Sequence, residues 1–225
     1  MRILIAAATA LEVAPLAEAL SMPPERAVLR GGRHKGAAID LLVTGVGMVA
    51  TAAWCSRTLA QHHYDLALNV GVCGSFDPGL PPGTVVHVVA DQIPELGTED
   101  GDAFLTVHQM QLLAESEFPY TNGQLVNNEP PINRVLASLP AVRAITVNTV
   151  HGADASIARV LNRFNPQVES MEGAAFMYAC LLAGLPFAQL RAVSNVVERR
   201  NRAAWKMPEA IQNLTRVAVD FLEAR

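Results

Sequence analysis

Short apolar runs alternate with stretches of helical spacing along the whole chain, and that alternation restricts the fold more than any other feature. Ile3–Ala8, Ala37–Thr44, Leu66–Val70, Thr84–Ala90, Arg143–Thr149 and Phe187–Val193 read as strands. Leu11–Leu20, Val49–His62, Ser156–Phe164, Gly173–Ala183 and Pro208–Leu222 read as helices. Strand and helix in turn predict a central sheet, mixed but largely parallel, with helices on both faces. The expected fold is a three-layer α/β/α domain over residues 1–225. A chain of 225 residues, 51% hydrophobic, can bury such a sheet in one domain. With only 5% aromatic residues, aliphatic and Ala packing must fill the core. No linker, low-complexity tract or repeat interrupts the pattern. The segment Ile93–Pro131 is polar and irregular, and reads as a functional loop or an excursion of short elements.

Charge and cysteine usage narrow the function classes. The formal net charge is −4 and the pI about 5.9. That balance argues against a general affinity for nucleic acid or acidic membrane surfaces. Arg199, Arg200 and Arg202 bunch locally and read as a solvated loop. Cys55, Cys73 and Cys180 show no CxxC spacing and suit a reducing compartment. The opening MRILIAAATALEVAPL has a short apolar run broken by Glu12, so it reads as a strand entering a helix, not as a leader. No apolar run reaches membrane-spanning length. The expectation is a soluble cytoplasmic protein with a small-molecule partner.

Ligands of open α/β sheets sit outside the carboxyl ends of the strands. Four places qualify here: Thr9–Glu12, Gly71–Ser75, Thr149–Gly152 and Ser194–Asn195. Met171-Glu172 joins them if Gln167–Ser170 is a short strand. GVGMVA, Gly45 to Ala50, matches a dinucleotide fingerprint, with Asp65 at the right distance. The context is wrong, because the fingerprint does not follow the first strand and Asp65 precedes the next apolar run. The glycines serve a tight turn whose amides approach a ligand. NVGVCGSF, Asn69 to Phe76, reads as a strand entering a glycine-rich turn, and Cys73 as a buried thiol. His62 and His63 point in different directions on a helix, and no metal site emerges. His151, at a strand end, reads as a turn histidine, with ligand contact left open. Glu12 and Glu172 are the two carboxylates singled out; each alone is also explained as a helix N-terminal charge.

Taken in order, MRILIAAATALEV, TGVGMVATA, NVGVCGSF, VESMEGAAFMYAC and RAVSN resemble the nucleoside phosphorylase and nucleosidase superfamily. The resemblance covers nearly the whole chain and is closer to the methylthioadenosine/S-adenosylhomocysteine nucleosidase branch. Within it NVGVCGSF, the LGTEDGDAF run from Leu96 to Phe104, and RAVSNVVERRNRAAW from Arg191 to Trp205 are most similar to the futalosine hydrolases. The resemblance implies roles residue by residue. Glu12 matches the acid that takes a proton from the attacking water, Glu172 the carboxylate that binds the ribose hydroxyls, and Met171 a residue packed on the sugar. Gly71–Gly74 matches the turn near sugar and base, with Val72 where relatives carry Ser. The turn around Val150 corresponds to the wall beside the base. The resemblance further implies N-glycosidic hydrolysis, a place in the futalosine route to menaquinone, a homo-oligomer, and no metal, nucleotide or redox cofactor. For the substrate's 5′ side, Arg199, Arg200, Arg202, Trp205 and the Leu96–Phe104 run are open candidates.

Asn195 departs from the adenine-specific relatives, which carry Asp there. Adenine shows an amino donor beside the N7 acceptor, whereas a 6-oxopurine shows two acceptors, O6 and N7. An ionised Asp would set an anion against a lone pair; an Asn amide donates to O6, N7 or both. The expected leaving group is therefore hypoxanthine or guanine. Futalosine, which the resemblance implies, carries hypoxanthine.

Overall fold

The structure is a computed structural model that describes residues 1–22 and 29–224. The chain runs β1 (Arg2–Ala7), α1 (Ala10–Ala19), β2 (Leu29–His34), β3 (Ala37–Val43), α2 (Met48–Gln61), β4 (Leu66–Ser75), β5 (Val85–Gln92), β6 (Gly97–Asp100) and β7 (Ala103–Thr106). It continues through β8 (Tyr120–Thr121), β9 (Gln124–Val126), α3 (Arg134–Ser138), β10 (Ala141–Thr146), α4 (Asp154–Phe164), β11 (Val168–Ser170), α5 (Gly173–Ala183), β12 (Phe187–Val196) and α6 (Met207–Glu223).

β1 lies between β3 and β4, parallel to both. Its residues divide between the two layers by the two-residue period of a strand. Ile3, Ile5 and Ala7 join the cluster under α1 and α6. Leu4 and Ala6 join the cluster under α2 and α5. A strand buried on both faces reads as one unbroken apolar run, which is why β1 stands out in the sequence. Each fully buried Leu or Ile contributes roughly 1.5–3 kcal/mol. The three layers are thus as expected. No helix among the described residues is long and apolar enough to cross a membrane.

The middle of the sheet closes on itself. β4 pairs antiparallel with β11, β11 parallel with β10, and β10 parallel with β5. β5 then pairs antiparallel with β12, which pairs parallel with β4. A separate apolar cluster draws Cys73, Val86, Val142, Val168 and Val193 from these five strands. The carboxyl ends of β4 and β12 and the short β11 therefore meet at one place, and the site is built there.

Several boundaries differ from the sequence reading. The glycine-rich stretch after Val70 is not a turn: β4 continues to Ser75. Gly71 and Gly74 keep extended strand pairing with β12, and their missing side chains make room for neighbours. β12 runs past Val193 to Val196, so Asn195 lies within the strand. β10 begins at Ala141 and ends at Thr146, where the Thr146 hydroxyl donates to the Asp91 carboxylate and accepts the Ala174 N–H. The irregular Ile93–Pro131 segment holds the β6–β7 hairpin and the β8–β9 pair, too short to leave a periodic signal.

Candidate active site

The first carboxylate is placed by a helix cap. Thr9 is the N-cap of α1, and Glu12 closes a capping box. Glu12 Oε2 accepts from the Thr9 N–H at 3.0 Å and from its hydroxyl at 2.8 Å. The other oxygen reaches β4 and accepts the Val72 N–H at 3.1 Å. The same residue therefore closes the helix cap and lines the cleft.

Glu172 occupies the N-cap position of α5 but makes no side-chain bond to its own helix. Its Oε1 accepts the Gly47 N–H at 3.0 Å, and its Oε2 lies 3.7 Å from Arg191 Nη1. Gly47 has φ +95°, a conformation that disfavours any side chain. The glycine turn of TGVGMVA thus points an amide at a carboxylate of the site. Burial pushes the Glu172 carboxyl above its ordinary range, Arg191 and the Gly47 N–H pull it back, and the nearby Glu12 pushes it up again.

Arg191 was not singled out from sequence, yet it ties the site together. It is 1% exposed. Nη2 donates to Asn69 Oδ1, and Asn69 in turn donates to the Ala6 carbonyl at 3.1 Å. A Cβ on Gly71 would collide with Arg191 Nη1 and stand 3.1 Å from Glu12 Oε1. The guanidinium therefore fills the space that Gly71 leaves, beside both carboxylates. Gly71 itself lies behind the site and does not line the cleft. An arginine in the middle of an apolar strand is the signal that exposes it, since a buried cation demands buried anions.

The other end of the site carries an amide, Asn195. Val193 pairs with Cys73 and Asn195 with Gly74, so Ser194 is an extra residue, a bulge. Bulges re-aim side chains at strand ends. Ser194 Oγ lies 2.8 Å from Asn195 Oδ1 and 3.1 Å from the Cys73 carbonyl. Asn195 Nδ2 donates to the Val196 carbonyl at 2.9 Å, which leaves its second hydrogen for the cleft.

These groups surround a cleft of about 320 Å³. Glu12, Val72, Gly74, Val150, Met171, Glu172 and Asn195 all line it, joined by Glu169, Ser194, Trp205 and Met207. Of the candidate site residues, all but Gly71 line this one cleft. Among the described residues its lining holds three carboxylates and no Lys or Arg. Of the candidates for the 5′ side, Trp205 lines the cleft, with the Arg200 and Arg202 guanidinium groups 5.6 and 5.9 Å from its ring centre. The Leu96–Phe104 run forms the β6–β7 hairpin instead, and Phe104 packs under Arg163 outside the cleft. Among the described residues no three His, Cys, Asp or Glu side chains are grouped as a metal site.

A closed strand circuit with paired carboxylates at one end of its cleft defines a class, and the chain belongs to it: the model of the phosphorylase superfamily matches residues 2–223. Within that class the chain is similar to named hydrolases. It is 34% identical over 185 residues to the futalosine hydrolase of Streptomyces coelicolor, a match covering 78% of this chain and 75% of that one. It is 31% identical over 185 residues to the futalosine hydrolase of Thermus thermophilus, covering 81% and 80%. Among solved structures, the 5′-methylthioadenosine/S-adenosylhomocysteine nucleosidase of Colwellia psychrerythraea in complex with adenine superposes with a TM-score of 0.80. That match covers 100% of this chain and 95% of that one at 20% identity, and it speaks to the fold.

Proposed function

We propose that the protein hydrolyses the N-glycosidic bond of a 6-oxopurine nucleoside, and that its substrate is futalosine, released as hypoxanthine and dehypoxanthine futalosine. The observation that carries this is Asn195, a neutral amide aimed by a bulge into a cleft whose other end holds two carboxylates. Glu12 takes a proton from the attacking water. Glu172 binds the ribose hydroxyls, and its charge favours a sugar that becomes cationic as the bond breaks. Met171 packs on the sugar and Val150 walls the base. Asn195 donates to the purine as negative charge builds on it. Asn cannot supply a proton, so solvent or another group completes the leaving purine. Mismatching this edge with an adenine amino group costs about 1–3 kcal/mol.

The similarity to two futalosine hydrolases supports the same substrate. A phosphorylase reading is disfavoured because phosphate would meet carboxylates and no lining cation. A methylthioadenosine nucleosidase reading is disfavoured by Asn195. The expected working form is a homo-oligomer acting in the cytoplasm without a cofactor.

The test is purine release from futalosine, inosine and methylthioadenosine, followed by chromatography in phosphate-free buffer. Hypoxanthine from futalosine is the expected product. Adenine from methylthioadenosine instead, or silence until phosphate is added, would replace this reading with one of the other two.

A further inference from the structure

Next to Asn195 stands a second polar group that the reaction has not used. Glu169 sits on β11 opposite Gly74 of β4. It is 4% exposed and lines the cleft. A Cβ built on Gly74 would lie 3.4 Å from Asn195 Nδ2 and 3.5 Å from Glu169 Cγ, so the two side chains flank one point. Both carboxylate oxygens are held by a single residue. Glu169 Oε1 accepts the His151 backbone N–H at 3.0 Å, and Oε2 lies 2.6 Å from His151 Nδ1. Among the described residues His151 is its side-chain partner and no Lys or Arg joins them. His151 is fixed in turn, edge-on to Phe76 with ring centres 6.0 Å apart. His151 and Glu169 line a small recess with Asn195, Val150, Gly74 and Trp205, continuous with the main cleft.

A nearly buried carboxylate is expensive to keep unless something needs it. A 6-oxopurine supplies the need. Beside its O6 acceptor the ring carries N1–H, a donor. A carboxylate is acceptor-only and an amide nitrogen donor-only. Asn195 and Glu169 together present donor and acceptor side by side, the complement of O6/N7 and N1–H. Adenine inverts the pattern, with an amino donor at C6 and a bare lone pair at N1 that would face the carboxylate.

We propose that Glu169 reads N1–H of the leaving purine and that His151 is the positioning residue that aims it, so base specificity resides in the Asn195–Glu169 pair and not in Asn195 alone. The proposal rests on the 6-oxopurine reading of the cleft.

The experiment compares kcat/KM for futalosine, its N1-methyl derivative and its 6-amino analogue, in the wild type and in Glu169→Gln. The wild type should prefer futalosine over both derivatives by about tenfold or more, since each leaves a buried polar group unpaired. Glu169→Gln can turn an NH2 toward the bare N1 of the 6-amino analogue, so its preference for futalosine over that analogue should fall about tenfold or more. His151→Asn should move the same ratio in the same direction by less, with a thermal midpoint close to wild type. A purely structural pair would lower stability and leave the ratio alone. Unchanged ratios in Glu169→Gln, or equal turnover of the N1-methyl substrate by the wild type, would overturn the assignment. Should Glu169→Gln fail to fold, the wild-type comparison decides by itself. A wild type that turns over no 6-oxopurine nucleoside sinks the underlying reading; one that releases hypoxanthine but ignores N1 methylation sinks only Glu169.

Discussion

At one end of the cleft, Glu12 and Glu172 each accept a backbone N–H from an element remote in sequence, Val72 for the first and Gly47 for the second. At the other end, Asn195 is held by its immediate neighbours, Ser194 and Val196. The first end is over-determined: a capping box, a left-handed glycine and a buried arginine all converge on two charges. The second depends on one bulged residue. A change at the carboxylate end should therefore damage chemistry or folding, whereas a change at the amide end should redirect specificity.

The largest effect is expected at Glu12. Glu12→Gln keeps the helix cap's shape and removes the group that accepts the water proton. Turnover of futalosine should fall by about 10²–10⁴-fold, while calorimetric affinity for futalosine stays near wild type. A variant within tenfold of normal turnover would remove Glu12 from the reaction. Next comes Gly71→Ala, which drives a Cβ into the Arg191 guanidinium. Arg191 cannot retreat without abandoning Glu172 and Asn69. Displacing a buried, paired charge costs about 3–5 kcal/mol, and both the denaturant midpoint and turnover should drop. A variant of normal stability would mean that the guanidinium is not wedged there.

The two ends also differed in how far the sequence revealed them. β1 is a continuous apolar run and the apolar part of β12 ends at Val193, so Glu12 and Asn195 fall just after apolar runs in the sequence, although β12 itself extends to Val196. Glu172 followed from its position before the small run Gly173-Ala174-Ala175. The closed circuit of β4, β11, β10, β5 and β12 was not legible, because pairing between distant strands leaves no local period. Two errors came from that. Gly71 and Gly74 read as turn residues, whereas both lie in β4, where their missing side chains admit the Arg191 guanidinium and the Val197 side chain. Glu169 lies in a three-residue strand too short to show a period, and the partners of Arg191 in the ten-residue β12 are seen only once β4 is placed beside it.

At the amide end, Asn195→Asp should leave folding intact and lower the preference for futalosine over its 6-amino analogue by about tenfold, the scale of one mismatched hydrogen bond. Release of purine from the two substrates in competition measures it. An unchanged preference would pass the whole of base reading to other residues and make the bulge at Ser194 irrelevant to specificity.

The smallest effect tests what stands behind the carboxylate end. Asp91 is buried, accepts from the Thr146 hydroxyl at 3.0 Å on both oxygens and from Gln189 Nε2 at 3.3 Å, and lies where a side chain on Gly173, the first residue of α5, would collide. Burial pushes its carboxyl up to about 7. The folded protein therefore holds a proton that the unfolded chain gives up near pH 4. Between about pH 4 and 7 the unfolded state binds fewer protons, so this group's contribution to stability falls as pH rises through that window and is level above it. His87 works the other way: burial lowers it to about 4, so acidification below its ordinary 6.5 protonates the unfolded chain first and destabilises the fold. The two slopes oppose each other in the wild type. In Asp91→Asn the His87 slope is no longer opposed by Asp91. Between pH 7 and pH 6 the variant should lose about 1 kcal/mol relative to the wild type, the scale of one proton over one pH unit. Denaturant midpoints at the two pH values measure it, and parallel pH profiles would mean that Asp91 is ionised in the folded protein and is balanced by Arg191, the cation that also serves Glu172.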